Sequence, residues 1–217
     1  MTTSLPDIPP RSASPGFFVT FEGGEGVGKS TQIKLLKAEL IKLGKTVVTT
    51  REPGGTTPAE AIRAVLLGNQ YQDLSDRSEA LLFAAARADV VKNVIDPALA
   101  AGSVVLADRH LDSSVAYQGI ARNLGELEVK ALSLWATRGL LPDLTVVLDL
   151  DPTIGMSRVT QPDRLESLAI EFHVKVRAAF LHLAQLEPTS FLVVDASQST
   201  QEISELIFAK VKSRLTP

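Results

Sequence analysis

The chain has 217 residues, of which 45% are hydrophobic and 22% charged, with a net charge of −3 and no cysteine. This size predicts one domain with one core, and the slightly acidic balance excludes a general attraction to nucleic acid or anionic lipid. The lack of cysteine excludes disulfides and cysteine-based metal or catalytic sites. It is typical of a reducing compartment, so we expect a cytoplasmic protein.

Residues 1–15 contain four prolines and no apolar run. We predict a disordered tail here, followed by one domain over residues 16–217, because the segment resembles neither a signal peptide nor a membrane span. Later apolar runs, such as residues 144–150, are far shorter than the roughly 20 residues that cross a bilayer. The sequence therefore predicts neither a membrane nor a nucleic-acid partner.

Short runs rich in β-branched and aromatic residues alternate with longer helical segments. The runs are predicted to be buried parallel strands, at 17–21, 46–50, 103–107, 144–150 and 191–195. Helices are predicted after the first strand, from Asp76 to Ala101 with a kink or interruption at Pro97, and at about 126–138, 165–186 and 200–214. The alternation predicts an α/β fold with a doubly wound, five-stranded parallel sheet flanked by helices, which binds ligands beyond the carboxyl ends of its strands.

The first strand leads into a glycine-rich segment, FEGGEGVGKST, at residues 21–31. A Gly-x4-Gly-Lys-Ser pattern between a strand and a helix predicts a loop whose backbone N–H groups surround phosphate. In such a loop the lysine contacts the β- and γ-phosphates of ATP, and the serine hydroxyl ligates Mg²⁺. We predict that ATP is bound by Gly23, Gly24, Glu25, Gly26, Val27, Gly28, Lys29, Ser30 and Thr31.

Two carboxylates, Glu22 and Glu25, lie in the segment that a polyanion must approach. Because backbone dipoles and Lys29 bind the phosphates, both carboxylates are free to point elsewhere. No Asn-Lys-x-Asp element for guanine is present in the sequence. This absence argues against a GTPase switch protein.

Charged residues also follow the second and third strands. Arg51 comes at the end of the second strand, where a guanidinium can bind an acceptor phosphate bidentately, and Pro53 with two glycines predicts a turn there. Asp108 and Arg109 follow the third strand. They offer one group for a metal or hydroxyl and one for the charge of a transition state.

Four blocks, in this order, resemble the bacterial thymidylate kinases: FEGGEGVGKSTQ, TREPGGT, LLFAAARAD and DRHLDSSVAYQG. A fifth and weaker block is DRLE before FHVKVRAAFLHLA. The resemblance covers about residues 16–217 and implies a P-loop nucleoside monophosphate kinase fold, a homodimer, and Mg²⁺-dependent transfer of phosphate from ATP to dTMP. Another P-loop kinase, for a deoxynucleoside or a different nucleotide, and a non-catalytic nucleotide-binding module are the alternatives.

The resemblance also implies an acceptor site for dTMP. Glu25 would face the sugar hydroxyl, Phe83 would stack on thymine, and Arg87, four residues later on the same helical face, would hydrogen-bond the base carbonyl. Arg109 would contact the phosphate and Tyr117 the deoxyribose. The complete predicted set is Glu25, Arg51, Phe83, Arg87, Arg109, Ser114, Tyr117 and Gln118, with Arg63 nearby.

Catalytic roles follow from the same resemblance. They fall to Lys29, Asp108 and Arg109, and the metal ligands are Ser30 and Asp108. In one branch of the family a loop position carries a catalytic arginine; here that position is Gly26, so the charge is expected from a lid at about residues 155–166. The lid is shorter and less basic than is usual, and its two candidates are Arg158 and Arg164.

Three further positions have weaker interpretations. Glu22 either joins the metal shell through water or accepts hydrogen bonds from the loop. His110 fills the volume of an aromatic residue as a neutral side chain, without a chemical role. Residues 195–200, DASQST, are expected to flank adenine.

Overall fold

The computed structural model describes residues 14–215 of the chain. The tail predicted for residues 1–15 therefore lies almost entirely outside the described residues. Between residues 14 and 215, none of the helices is both long enough and apolar enough to cross a membrane.

A single five-stranded sheet forms the centre of the described chain. Its strands are all parallel and lie in the order β2-β3-β1-β4-β5. This confirms the predicted α/β fold, and each strand lies within one residue of its predicted bounds. The strands are β1 Phe17–Glu22, β2 Val47–Arg51, β3 Val104–Asp108, β4 Leu144–Asp149 and β5 Phe191–Asp195.

Helices of several lengths connect these strands. Those also predicted from the sequence, at least in part, are α1 Lys29–Lys42, α3 Asp76–Val90, α4 Asp96–Ala100, α6 Glu126–Thr137, α8 Ile170–Leu186 and α9 Thr200–Leu215. Short helices that the sequence analysis did not predict are α2 Thr57–Leu67, α5 Leu111–Ser114 and α7 Pro152–Met156. Two π-helical segments, Val91–Ile95 and Val115–Ala121, continue α3 and α5.

Both faces of the sheet are covered, because consecutive strand residues point to opposite sides. Val19 and Phe21 pack on one side in a core with Leu36 of α1 and Ile207 of α9. Phe18 and the alternate residues of β3 pack on the other side with α2, α3 and α4. The sheet is therefore doubly wound, and its strand ends are left for the loops that follow.

The segment that was predicted to be helical from Asp76 to Ala101, with a kink or an interruption at Pro97, is helical without a break up to Ala100. Pro97 does not interrupt it, because the π-helical turn Val91–Ile95 comes immediately before α4. A proline lacks an N–H, and its ring crowds the carbonyl four residues earlier. That carbonyl lies within the π-helical segment, whose turn is wider than an α-helical turn. The chain thus stays helical while its hydrogen-bond pattern changes.

The helix predicted over 165–186 begins five residues later, at Ile170. Asp163 explains the delay: its Oδ1 accepts hydrogen bonds from the backbone N–H of Leu165 at 2.8 Å and of Glu166 at 2.9 Å. A local side-chain acceptor of this kind holds the backbone in a turn instead of a helix. The turn belongs to the segment predicted as the lid.

Candidate active site

A cavity of about 480 Å³ opens at the carboxyl ends of the central strands. Its walls come from the glycine-rich loop, the segments after β2 and β3, helix α3 and the turn at residues 163–166. Most of the predicted site residues line it, namely Glu25, Gly26, Val27, Gly28, Lys29, Ser30, Thr31, Arg51, Arg63, Phe83, Asp108, Arg109, Ser114, Tyr117 and Gln118. Ligands of open parallel sheets bind at such a place.

The glycine-rich loop has the backbone of an anion site. Gly28 precedes α1 in a left-handed conformation, with φ 96°, and provides no side-chain cap. The N–H groups of the first turn therefore have no side-chain acceptor, and the positive end of the helix dipole faces the cavity. Gly23 and Gly24 belong to the first half of this loop and do not line the cavity, and the Gly24 carbonyl accepts a hydrogen bond of 2.6 Å from Nζ of Lys29.

Lys29 lies in the cavity wall with only 8% of its surface exposed. Burial and the nearby charge of Arg109 lower its pKa. A bound anion would stabilise the charged ammonium of Lys29, because its negative charge opposes the effects of burial and of Arg109 on the pKa.

Ser30 and Asp108 form an oxygen pair at the cavity. The Ser30 hydroxyl donates to Oδ2 of Asp108 at 3.1 Å, which joins the start of α1 to the end of β3. Mg²⁺ takes oxygen ligands, usually one or two from protein with the remainder from phosphate and water. Within residues 14–215 no cluster of three or more histidines or carboxylates is present that would hold a metal alone. The pair therefore fits a cation that is shared with a phosphate ligand.

Glu25 points away from the loop N–H groups and toward the opposite wall. Its Oε1 accepts hydrogen bonds from Nη2 of Arg109 at 2.6 Å and from the hydroxyl of Tyr117 at 2.8 Å. Burial favours the neutral acid, but the charges of Arg109 and Lys29 outweigh it and lower the pKa of Glu25 to about 2. The carboxylate is thus ionised at neutral pH and does not occupy the place of a phosphate.

Arg109 connects the two walls of the cavity. Its Nη1 donates to the Gly23 carbonyl at 2.9 Å and to the Ser113 hydroxyl at 3.1 Å, and its guanidinium lies 5.1 Å from the ring centre of Tyr117. The residue has φ 72°, a left-handed conformation that is costly for arginine. Such strain is common where a side chain must be aimed at a ligand.

Glu22 is fully buried, and its hydrogen bonds come from outside the glycine-rich loop, which differs from the second of its two expected environments. It accepts hydrogen bonds from the backbone N–H of His110 at 2.7 Å and the hydroxyl of Ser113 at 2.5 Å, both after β3 and outside the loop. Burial, together with the charge of Asp112, raises the pKa of Glu22 to about 8. The side chain joins β1 to the segment after β3.

Arg87 lies beneath the cavity and is only 1% exposed. Its Nε donates to Glu52 at 2.7 Å, its Nη1 to the hydroxyl of Ser133 at 3.1 Å, and its Nη2 to the hydroxyl of Ser114 at 2.9 Å. The other carboxylate oxygen of Glu52 is 2.8 Å from Nδ1 of His110. Phe83, one helical turn before Arg87, contributes to the wall itself. Glu52 and Ser133 were missed in the sequence analysis.

Two arginines lie at the far end of the cavity. Arg51 donates from Nη2 to both carboxylate oxygens of Glu60, at 3.0 and 3.1 Å. Arg63 donates to the carbonyl of Pro53 at 2.8 Å. Both arginines line the cavity, while Glu60, their partly exposed neighbour on α2, was not predicted.

The predicted lid begins in direct contact with the glycine-rich loop. A Cβ added to Gly26 would lie 2.1 Å from the carbonyl oxygen of Gly155, and one added to Gly155 would lie 2.2 Å from that of Glu25. Neither position can hold a side chain unless the loop and α7 move apart. With α7 in this position, residue 26 therefore has no room for an arginine side chain.

The two candidate lid arginines have different surroundings. Arg158 is exposed, and its Nη1 donates to the carbonyl of Gly26 at 2.8 Å. Arg164 is buried and donates to Oε2 of Glu79 at 2.6 Å and to the carbonyl of Leu66 at 2.8 Å. Of these two arginines, Arg158 is the one that is exposed and hydrogen-bonded to the glycine-rich loop.

Residues 195–200 lie beside the start of α1. Gln32 of α1 donates to the carbonyl of Thr200 at 3.1 Å, and the N–H of Ala196 donates to the carbonyl of Asp149 at 2.8 Å. These contacts bring the segment after β5 next to the helix that follows the glycine-rich loop.

The parallel sheet, the glycine-rich loop before α1 and the arginine-rich wall opposite it define a P-loop kinase fold of the nucleoside monophosphate kinase type. Comparison with known proteins identifies the family. The family model described as Thymidylate kinase matches residues 21–207. The chain therefore belongs to the thymidylate kinase family, as the sequence blocks predicted.

Curated relatives agree with this assignment. The thymidylate kinase of Leifsonia xyli subsp. xyli is 54% identical over 205 residues, which cover 93% of this chain and 97% of that protein. That of Clavibacter michiganensis subsp. michiganensis is 52% identical, covering 91% and 95%. That of Bifidobacterium longum subsp. infantis is 49% identical, covering 92% and 88%.

Proposed function

We propose that the protein transfers the γ-phosphate of ATP to dTMP and releases ADP and dTDP. A phosphate oxygen of dTMP attacks the γ-phosphorus in line, and the bond from that phosphorus to the β,γ-bridging oxygen breaks. The observation that carries the proposal is the shared cavity, in which the phosphate loop faces a wall that includes Phe83, Arg109 and Tyr117, and Glu25 of the loop is hydrogen-bonded to that wall. Membership of the thymidylate kinase family supports the choice of substrates.

ATP binds along the glycine-rich loop in this proposal. The uncapped N–H groups at the start of α1 and the ammonium of Lys29 supply the positive charge that its phosphates require. Ser30 and Asp108, 3.1 Å apart, would hold Mg²⁺ together with phosphate oxygens, and the cation would neutralise charge on the phosphates. The segment at 195–200 is assigned to the adenine side.

The opposite wall binds dTMP. Arg109, with Arg51 and Arg63 further along the cavity, is assigned to the acceptor phosphate, and the ring of Phe83 to the face of the base. The ionised Glu25 is an acceptor for a sugar hydroxyl, and Tyr117 lies beside it. Arg87 supports the base site from below through Ser114.

Catalysis would depend on positioning and on neutralising charge. The acceptor phosphate is already largely ionised at neutral pH, so little proton transfer is needed. We assign the lid charge to Arg158, since it is exposed and already bonded to Gly26, while the buried ion pair of Arg164 with Glu79 supports a structural role. Lys29, Arg109 and Arg158 would together surround the transferred group.

A homodimer is proposed on the surface of α3 and α6. These helices pack against each other and carry exposed apolar side chains on their outer faces, Leu81 at 57%, Leu127 at 53% and Trp135 at 71%. Large exposed apolar side chains on neighbouring helices are typical of protein interfaces. The use of ATP as co-substrate supports a cytoplasmic location.

The test is release of ADP that depends on the acceptor. Purified protein with ATP and Mg²⁺ is given dTMP, dUMP, dCMP or AMP in turn. We expect the highest kcat/KM with dTMP. A different preferred acceptor would identify another nucleotide kinase, and release with none of them would support a binding module and refute the proposal.

A further inference from the structure

Glu79 of α3 is a fully buried carboxylate that four donor groups surround. Its Oε2 accepts from Nη2 of Arg164 at 2.6 Å and from Nη2 of Arg122 at 3.1 Å. Its Oε1 accepts from Nε2 of Gln118 at 2.9 Å and from Nε of Arg122 at 3.3 Å. These contacts join α3, the π-helical segment after α5 and the turn after α7.

The contacts of Glu79 hold its carboxylate in one orientation. Both of its oxygens face guanidinium N–H groups, which donate hydrogen bonds and cannot accept them, so the carboxylate serves here as an acceptor. Rotation is restricted because Arg164 is itself held by the carbonyl of Leu66, at 2.8 Å from its Nε. Glu79 is therefore a fixed acceptor.

This fixed acceptor determines the orientation of the Gln118 amide. Because Glu79 can only accept, Gln118 must direct its NH₂ group toward Glu79, and a flip would set two acceptors against each other. Gln118 lines the cavity, and among residues 14–215 no donor is found for its Oε1. The amide therefore keeps its carbonyl oxygen for a ligand.

Phe83 lies next to this arrangement on α3. Glu79 and Phe83 are four residues apart, so they lie on the same face of the helix, and Phe83 also lines the cavity. Because Phe83 and Gln118 line the same cavity, a planar ring that stacks on Phe83 can turn one edge toward Gln118. The group of that ring that suits a carbonyl acceptor is an N–H donor.

We propose that Glu79 is a positioning residue that sets the base specificity of the acceptor site through Gln118. The Oε1 of Gln118 accepts from the N3–H of thymine or uracil, whereas N3 of cytosine bears a lone pair and is repelled. The inference rests on the proposed function, since it assigns a pyrimidine to this cavity. It adds a residue that need not touch the substrate and that decides which hydrogen-bonding pattern the site accepts.

The test compares dUMP with dCMP, which differ at the N3 and C4 edge and not in a methyl group. Their dissociation constants are measured by titration calorimetry for the full-length protein and for Glu79→Gln. A glutamine at residue 79 can donate or accept, so Gln118 becomes free to present its NH₂ to cytosine. We expect the preference for dUMP to fall by about tenfold, the size of one lost hydrogen bond.

Arg122→Gln is the matched control. It removes another partner of Glu79 but leaves Arg164 and the Gln118 contact in place, so we expect lower stability with the preference for dUMP within about twofold of its starting value. An unchanged preference in Glu79→Gln, or an equal fall in both variants, would overturn the inference.

Glu79→Asp provides the same test with less risk to folding. It keeps the negative charge between Arg122 and Arg164, but its shorter side chain withdraws the carboxylate from its partners, Gln118 included, and we expect the preference for dUMP to fall here too. Unaltered protein that releases no ADP with dTMP would refute the proposed function. Active protein whose Glu79 variants keep their preference would refute only the role of Glu79.

Discussion

The contact between the glycine-rich loop and α7 allows a quantitative prediction for Gly155→Ala. The new Cβ would lie 2.2 Å from the carbonyl oxygen of Glu25, whereas ordinary contacts of a Cβ begin near 3.4 Å, so the two segments must separate by about 1.2 Å. A displacement of about 1 Å in a catalytic group can lower turnover by about 100-fold. We therefore expect kcat for dTMP-dependent ADP release to fall by about that factor.

The same variant should lose modest stability, about 1–3 kcal/mol, because the strain is shared between two surface segments. Gly102→Ala is the control. Gly102 has φ 76° and open space around its Cβ position, so alanine there costs about 1–2 kcal/mol of backbone strain while the site stays intact. Thermal unfolding and initial rates are measured for both variants. Turnover of Gly155→Ala equal to that of Gly102→Ala would refute the reasoning.

Three further predictions concern charged side chains. Lys29→Met should lower kcat by at least about 100-fold while the circular dichroism spectrum stays unchanged, and an active variant would contradict the role of the loop. The pKa of Glu22 is raised from its usual 4.5 to about 8, so between these pH values the folded protein holds a proton that the unfolded chain releases. The free energy of unfolding of the wild-type protein, measured with urea, should therefore fall from pH 5 to pH 8, and that of Glu22→Gln should fall less, by on the order of 3 kcal/mol. Parallel pH profiles of the two proteins would contradict the burial of this acid. Arg158→Ala should reduce kcat with little change in unfolding, whereas Arg164→Ala should lose about 3–5 kcal/mol of stability, and the reverse pattern would exchange their roles.

The parts of this structure that were predictable from sequence are those with local signals. Strands rich in valine, such as residues 104–108, are recognisable because buried parallel strands need β-branched side chains on both faces. The glycine-rich loop is recognisable because its spacing reflects a backbone conformation. The short helix α5 and the π-helical segment after it lack enough turns for a periodic apolar pattern, although they carry Ser114 and Tyr117.

The missed site residues are those whose importance comes from distant contacts. Arg87 bonds to Glu52 and Ser133, which are 35 and 46 positions away in the chain, and no local pattern indicates such pairs. Glu79 has the same difficulty, since its partners come from the segment after α5 and the turn after α7. A signal was present for α2, where Thr56 lies two residues before Pro58 and its side chain accepts a hydrogen bond from the N–H of Ala59 at 3.2 Å.

The two glycines that touch between the loop and α7 also limit how enzymes of this kind can change during evolution. An arginine at residue 26 requires that residue 155 withdraw, and in the proposed mechanism a withdrawn lid would hold Arg158 further from the phosphates. A lineage in which the arginine moves from the lid to the loop must therefore alter the glycine-rich loop and α7 nearly together. A protein with only one of the two changes would be a poor catalyst. Lineages with the arginine in the lid and lineages with it in the loop would therefore seldom interconvert.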